Sequence, residues 1–452
     1  MSLPPKHQLS KSTFMYGCQC PKRLWLHKFM PEVRDEEDEG QATIFQAGTN
    51  VGVLAQQLFP GGVDASPVDT YSYQQSVADT ARYISEGHHI IYEAAFQYKG
   101  IMCAVDILVK MKNNWYAYEV KSSTNVKEPY VQDAALQYYV ITHAGLPLQD
   151  IYIVHLNNEY VRYGALNMVE LFTISSVLDK VKDMQTFIAK KVIELKKVLA
   201  LKQAPDIAIG PQCSKPYDCD FYGYCSTGLE VEVPDYGKAA INKEAIRNFT
   251  NHLQYPLYFM DFETWRAAVP EYDGHWPYRQ VNFQYSVHVL ATPGAVVNHH
   301  HYLAAGPHTP QEEFIGNLVK VLGTKGSIVV YNQAFENTRL RELKDEFPQF
   351  EQAINAIQAR IVDLMVPFRR KEYYLPEMQG SYSIKYVLPA LVPELNYASL
   401  VINNGGDASA AFYNLKNETD AEKIAAVRNA LLEYCGLDTL AMVKVLEKLN
   451  QL

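Results

Sequence analysis

Short apolar or alternating runs at Ile90 to Phe96, Ile101 to Lys110 and Trp115 to Ser122 predict three strands in succession. The period then changes: Val131, Ala134, Ala135, Tyr138 and Ile141 recur at helical spacing, with Gly145 as a C-terminal cap. Ile151 to Leu156 predicts another strand, and Ile174 to Lys202 a long amphipathic helix whose stripe is Val177, Leu178, Val181, Met184, Ile188, Leu195 and Leu199. A second pattern begins at Leu257, with strands over Leu257 to Thr264, Asn282 to Leu290 and Ser327 to Tyr331. A helical stripe follows at Phe314, Ile315, Leu318, Val319 and Leu322, and helices close the chain from Ala421 to Leu449. Alternation of both periods predicts an α/β fold in each half. Between the halves, Gly210 to Cys225 is rich in cysteine and turn residues, and Glu230 to Tyr236 is acidic and broken by Pro234, so the boundary is set at 230/231. No internal repeat relates residues 1–230 to 231–452.

A chain of 452 residues exceeds what one core usually supports, in keeping with two domains. Its 48% hydrophobic and 20% charged residues are those of a globular protein. The opening residues lack the apolar stretch of a secretory signal and no later run could span a bilayer, so no membrane partner is expected and a cytoplasmic location is. Seven cysteines, clustered rather than paired, point to metal binding in a reducing compartment. The net charge of −9 does not advertise nucleic-acid binding. Local basic runs could still line a track: Lys22, Arg23 and Lys28, the lysines from Lys180 to Lys202, and Arg369 to Lys371. For each, a solvated helix face is the more usual reading.

The stretch AVDILVKMKNNWYAYEVKSS, Ala104 to Ser123, reads as two strands joined by a polar turn. With an even-length turn, Asp106, Glu119 and Lys121 project from one face of the hairpin. Two carboxylates suit Mg²⁺ or Mn²⁺, and the ammonium suits a phosphorane or the generation of hydroxide; an ordinary surface ion pair is the alternative. Glu119-Val-Lys-Ser-Ser, with the helix bearing Gln137-Tyr, resembles the PD-(D/E)xK nucleases of the RecB type, which implies a restriction-endonuclease-like fold and roles for Asp106, Glu119, Lys121 and Gln137. LSKSTFMYGCQCPKRLWL near the start is similar to the iron–sulfur members, including CRISPR-adaptation exonucleases and AddB-type subunits. By that resemblance Cys20 joins Cys213, Cys219 and Cys225 around a [4Fe–4S] cluster; Cys18 competes for the early position and zinc for the site. Cys103 and Cys435 sit in apolar patterns and read as core thiols. The family often carries a metal-binding histidine in an early helix, whereas Gln41 to Gly61 has none and Gly52 stands near its place. Glu93 is a further carboxylate that could contribute.

In LYFMDFET, Leu257 to Thr264, Asp261 and Glu263 lie two residues apart in an apolar strand and so share a face, where a bound cation would explain their coexistence. Tyr434 and Asp438 in LLEYCGLDTLAM are at i and i+4 on one helix face, and VVYNQAFENTRL is a strand followed by a helix with Glu336. This order resembles the DnaQ-like DEDD exonucleases of the ribonuclease H-like fold. The resemblance implies that Asp261, Glu263, Glu336 and Asp438 hold two metal ions and that Tyr434 positions or activates water; Glu336 departs from the usual aspartate. Tyr258 to Met442 also looks like an uncharacterised bacterial domain family that recurs behind RecB-like nuclease domains. Asp363, Lys385 and Gln284 could lie near this site. His299 to His301 alternate faces and cannot all ligate one metal.

The expectation is therefore a metal-dependent nuclease acting on nucleic acid, DNA before RNA, through exonucleolytic hydrolysis. A ribonuclease is one alternative, and a DEDD exonuclease with a degenerate, binding-only first domain is another.

Overall fold

The computed structural model describes residues 6–35, 51–69, 73–227, 236–306 and 310–452. Residues 1–5, the acidic run from residue 36, residues 41–50 of the stretch lacking histidine, and residues 230–235 of the boundary segment lie outside them. Contacts divide the chain into two units: Met1–Val231 with Ala267–Tyr278, and Glu232–Arg266 with Arg279–Leu452. Both mix helix and strand. No described helix is long and apolar enough to cross a membrane.

In the first unit, β1 (Leu9–Ser10), β2 (Val63–Asp64), β3 (Ile90–Tyr98), β4 (Ile101–Met111), β5 (Asn114–Lys121), β6 (Leu148–Leu156) and β7 (Phe172–Ser176) form one sheet. Its order is β2-β3-β4-β5-β6-β7, with β1 also paired to β4. A two-residue turn through Lys112, at φ +56°, sets Met111 opposite Asn114 and Ile107 opposite Tyr118. That register brings Asp106 level with Glu119. Because β5 and β6 are parallel, a crossover is required, and helix Glu128–His143 supplies it. The helix buries Val131, Ala134, Ala135 and Ile141, as its stripe predicts, and Gly145 follows it at φ +99°.

The expected long helix over Ile174 to Lys202 is corrected. Thr173 and Ile174 favour extended backbone, and Phe172–Ser176 pairs with β6 from Leu156 opposite Phe172 to Tyr152 opposite Ser176. Helices Leu178–Asp183 and Gln185–Leu199 follow, separated at Met184. Helix Lys11–Gln19 packs so closely on the second of these that a Cβ at Gly17 would lie 2.5 Å from Leu195 Cδ1.

In the second unit, β8 (Ala240–Ile241) pairs with β14 (Tyr373–Tyr374). β9 (Leu257–Arg266), β10 (Gln280–Leu290), β11 (Asn298–Leu303), β12 (Ile328–Val330) and β13 (Ile361–Asp363) form a sheet of order β11-β10-β9-β12-β13. The first three are antiparallel, and β9, β12 and β13 are parallel. Tyr258, Met260 and Phe262 share one face of β9 and pack against Phe314, Leu318 and Ile354. The opposite face carries Asp261 and Glu263. Contrary to the expectation of several terminal helices, one helix spans Ala421–Leu449, started by Asp420, whose side chain accepts from Glu422 N and Lys423 N. The histidine run forms β11, an edge strand; His299 stacks on His288 with ring centroids 4.2 Å apart.

The turn into β12 demands glycine. Gly326 has φ +85°, and a Cβ there would lie 2.0 Å from the Pro256 carbonyl oxygen. Gly326→Ala is predicted to destabilise the chain by about 2 kcal/mol or more, read as a lower denaturation midpoint. The rigid backbone neighbour leaves no cheap relaxation.

Candidate functional site

The second unit gathers its acids from four segments. The pleat of β9 turns Asp261 and Glu263 towards the Ala421–Leu449 helix. That helix is tied to β10 by Gln284, which donates to the Leu431 carbonyl at 2.8 Å, and by Ser286 Oγ, 2.6 Å from Thr439 Oγ1. Gln284 is therefore a positioning residue here. One turn of the helix brings Cys435 Sγ within 3.8 Å of Asp261 Oδ2. Potential ligand atoms of Asp261, Glu263 and Cys435 all lie within 4.8 Å of one another. Cys435 is buried, as its apolar pattern implies, but it borders the carboxylates.

Asn332, at φ +86°, lies just beyond β12 and starts helix Gln333–Glu346, which places Glu336 in its first turn. Asp363 Oδ1 holds this corner by accepting from Asn332 N and Met365 N, both at 3.0 Å. Asp438 Oδ1 accepts from the Tyr397 hydroxyl at 2.6 Å, and Tyr434, one helical turn before Asp438, helps to hold that carboxyl down. Lys385 Nζ lies 5.6 Å from the ring centroids of both tyrosines and donates to Asn403 O.

These groups act on one another electrically. Burial, then repulsion from Asp261, Asp438 and Glu336, holds the Glu263 carboxyl well above its ordinary range; Lys385 opposes this. Burial and Asp438 raise Asp261, and burial and Asp261 raise Glu336. Burial lifts Asp438 to about 6 despite Tyr397, Lys385 and Tyr434. Glu336 Oε2 is buried with no hydrogen-bond partner. An orphaned oxygen beside repelling carboxylates fits a divalent cation near Asp261 and Glu263; the ligand atoms of Glu336 and Asp438 do not join that pair within 4.8 Å, so they would hold the outer side of the site or a second ion.

In the first unit the expected residues also meet, with two companions. Glu119 Oε1 accepts from Lys121 Nζ at 2.6 Å and from Lys11 Nζ at 2.7 Å, while Gln137 Nε2 donates to Glu119 Oε2 at 2.5 Å. Lys121 also reaches Asp133 Oδ2 at 2.6 Å, and Asp106 Oδ2 accepts from Val120 N at 2.5 Å. Burial alone would raise Glu119, but the two lysines hold it below its usual range; Asp106 is raised by burial and by Glu119, and Glu93 to about 7 by the same causes. A Cβ at Gly52 would meet nothing within 4 Å.

Cys20, Cys213, Cys219 and Cys225 line one small cavity. Cys18 instead packs on the main core of the unit, its thiol pushed up to about 12 by burial. Gln19 Nε2 donates to Gln212 O at 2.8 Å and Tyr217 O at 2.7 Å, and Arg23 and Arg34 each reach Asp220 at 2.7 Å. Arg23 is buried in that pairing and is not a surface track residue. No three of the four sulfurs lie within 4.8 Å of one another, among the described residues.

Lys11, Asp133 and Tyr397 were not singled out from sequence. Asp133 carried a signal, since it precedes Gln137 by four residues on a buried helical face; Tyr397 carried none. Among known families, residues 258–383 match the model described as Domain of unknown function (DUF2779). The matched stretch includes Asp261, Glu263 and Glu336 and ends before Tyr434. The chain is also similar to "Uncharacterized protein UU173" of Ureaplasma parvum serovar 3 (strain ATCC 700970), 27% identical over 228 residues. That match covers 45% of this chain and 32% of the relative, so the chain spans about a third of that protein's length.

A carboxyl raised by folding binds more protons in the folded state, so its stability contribution falls as pH rises across the shifted range. For Asp438 that range runs from 3.8 to about 6. In chelator, the melting temperature of Asp261→Asn is predicted to exceed wild type by a growing margin from pH 4 to 7, about 2–4 °C per kcal/mol of relieved repulsion. Added Mn²⁺ should raise wild type and leave Asp261→Asn nearly unchanged.

Proposed function

We propose that the chain is a metal-dependent nuclease whose hydrolytic centre is the carboxylate site of the second unit, arranged as in ribonuclease H-like DEDD exonucleases. The observation that carries this reading is the meeting of Asp261 and Glu263 against the helix that bears Asp438, where Glu263 is repelled by Asp261, Asp438 and Glu336 and one Glu336 oxygen is buried without a partner. The acid-bearing β9 at the centre of a five-stranded mixed sheet supports it. Two divalent ions held there would stabilise the attacking and leaving oxygens of an in-line displacement at phosphorus. The chain's own residues then have distinct tasks. Tyr397 orients Asp438 through its hydroxyl hydrogen bond; Tyr434, one turn before Asp438 on the same helix, would orient the attacking water. Lys385, 5.6 Å from both tyrosine rings, can complement phosphate charge.

The first unit is read as a PD-(D/E)xK-type fold that engages nucleic acid, stapled by a metal cluster on Cys20, Cys213, Cys219 and Cys225. Four thiols about one cavity fit such a group. A single zinc tetrahedron would bring its sulfurs to about 3.8 Å of one another; the wider spacing here favours an iron–sulfur cluster.

End-labelled single- and double-stranded DNA and RNA, incubated with Mg²⁺ or Mn²⁺, test the hydrolytic reading and decide between DNA and RNA. Wild type should shorten DNA from an end, Asp261→Asn and Asp438→Asn should abolish cleavage, and Tyr434→Phe should bind metal yet lose about 10²–10⁴-fold in rate. Wild-type rates in these variants would overturn the assignment.

Anaerobically purified chain should be brown, with iron and sulfide on analysis. Cys20→Ser should bleach it and lower the stability of the first unit, whereas Cys18→Ser should keep the colour. Stoichiometric zinc without iron would refute the cluster.

A further inference from the structure

The carboxylate site of the first unit differs from that of the second in what neutralises it. Lys11 opens helix Lys11–Gln19, directly after a capping box at Ser10 and the pairing of Leu9 and Ser10 with Ile101 and Met102. Its backbone is thus fixed against β4, the strand that bears Asp106. From there Nζ reaches Glu119 Oε1 at 2.7 Å and lies 3.7 Å from Asp133 Oδ2. Lys121 Nζ closes the ring at 2.6 Å from each acid. Gln137 takes the other Glu119 oxygen, and the Val120 amide takes Asp106 Oδ2. Glu119 Oε2 therefore serves Gln137 and Oε1 serves two ammonium groups, of which Lys121 has Asp133 as an equally close partner and Lys11 is the surplus cation on Glu119.

A hard divalent ion needs carboxylate lone pairs turned towards it and no fixed cations at contact distance. Here two ammonium groups stand against the one carboxylate that a metal would have to share with Asp106. The residues as arranged do not fit a divalent ion. We propose that Lys11 is a built-in counter-ion of this site, so that the first unit carries no divalent ion while helix Lys11–Gln19 is docked, and a metal enters only when Lys11 is withdrawn. The inference does not rest on the hydrolytic reading of the second unit.

Mn²⁺ uptake by the full chain, read as loss of the free-ion electron paramagnetic resonance signal, tests it. In an Asp261→Asn/Asp438→Asn background, uptake should be absent. Adding Lys11→Met should create one equivalent of binding, at least about tenfold tighter than in its parent, because a unit charge beside the ion is removed. Asp106→Asn should abolish that gain, and Lys11→Arg should not produce it. The inference is overturned if the Asp261→Asn/Asp438→Asn chain keeps an equivalent of Mn²⁺ that Asp106→Asn removes. It is equally overturned if the Lys11→Met chain, folded by circular dichroism, gains none. Should Lys11→Met not fold, the comparison with and without Asp106→Asn decides alone. A chain that takes up Mn²⁺ only with Lys11→Met would sink the hydrolytic centre proposed for the second unit and leave this inference standing.

Discussion

Negative charge taken out of water must be answered by positive charge close by, and the two larger sheets of this protein are built around that requirement. An isolated carboxylate loses several kcal/mol of solvation on burial, and a second one at contact distance adds repulsion that a low-dielectric interior does little to screen. The pleat leaves no escape: once Tyr258, Met260 and Phe262 are committed to the core, Asp261 and Glu263 must both face the helix that packs on the other side. The second unit answers four such acids with one nearby lysine, Lys385, together with the Tyr397 hydroxyl, which donates to Asp438. The first unit answers Asp106, Glu119 and Asp133 with Lys11 and Lys121. Similar carboxylate groupings are thereby neutralised in different ways.

How much of this was legible in the chain depended on the range of the interaction. Local periodicity located the hairpin of β4 and β5 and fixed the shared face of Asp106, Glu119 and Lys121, because an even turn and strand alternation leave no freedom. It failed at Ile174, where three residues of alternating pattern were absorbed into a helical stripe that starts only afterwards. Pairing with β6 decided that segment, and pairing is not visible in a local window. Motif order pointed to Glu336 and Asp438, whose approach to Asp261 the tertiary structure supplies. Lys11 and Tyr397 could not be read at all: each reaches its carboxylate from a segment remote in sequence, and nothing in its own neighbourhood distinguishes it.

The segment Ala267–Tyr278 belongs by its contacts to the first unit although it interrupts the second. Ala268, Val269 and Tyr278 pack in the cluster around Tyr118, Val154 and Leu171, and Arg162 donates to the carbonyls of Pro270 and Glu271. Neither unit is thus a single uninterrupted stretch of the gene. A chain ended after Val231 would keep every strand of the first sheet and still leave part of its apolar surface bare, and one begun at Glu232 would carry an orphaned apolar loop between β9 and β10. Inheritance by simple shuffling of whole coding segments would therefore have had to bring the loop and its seat together.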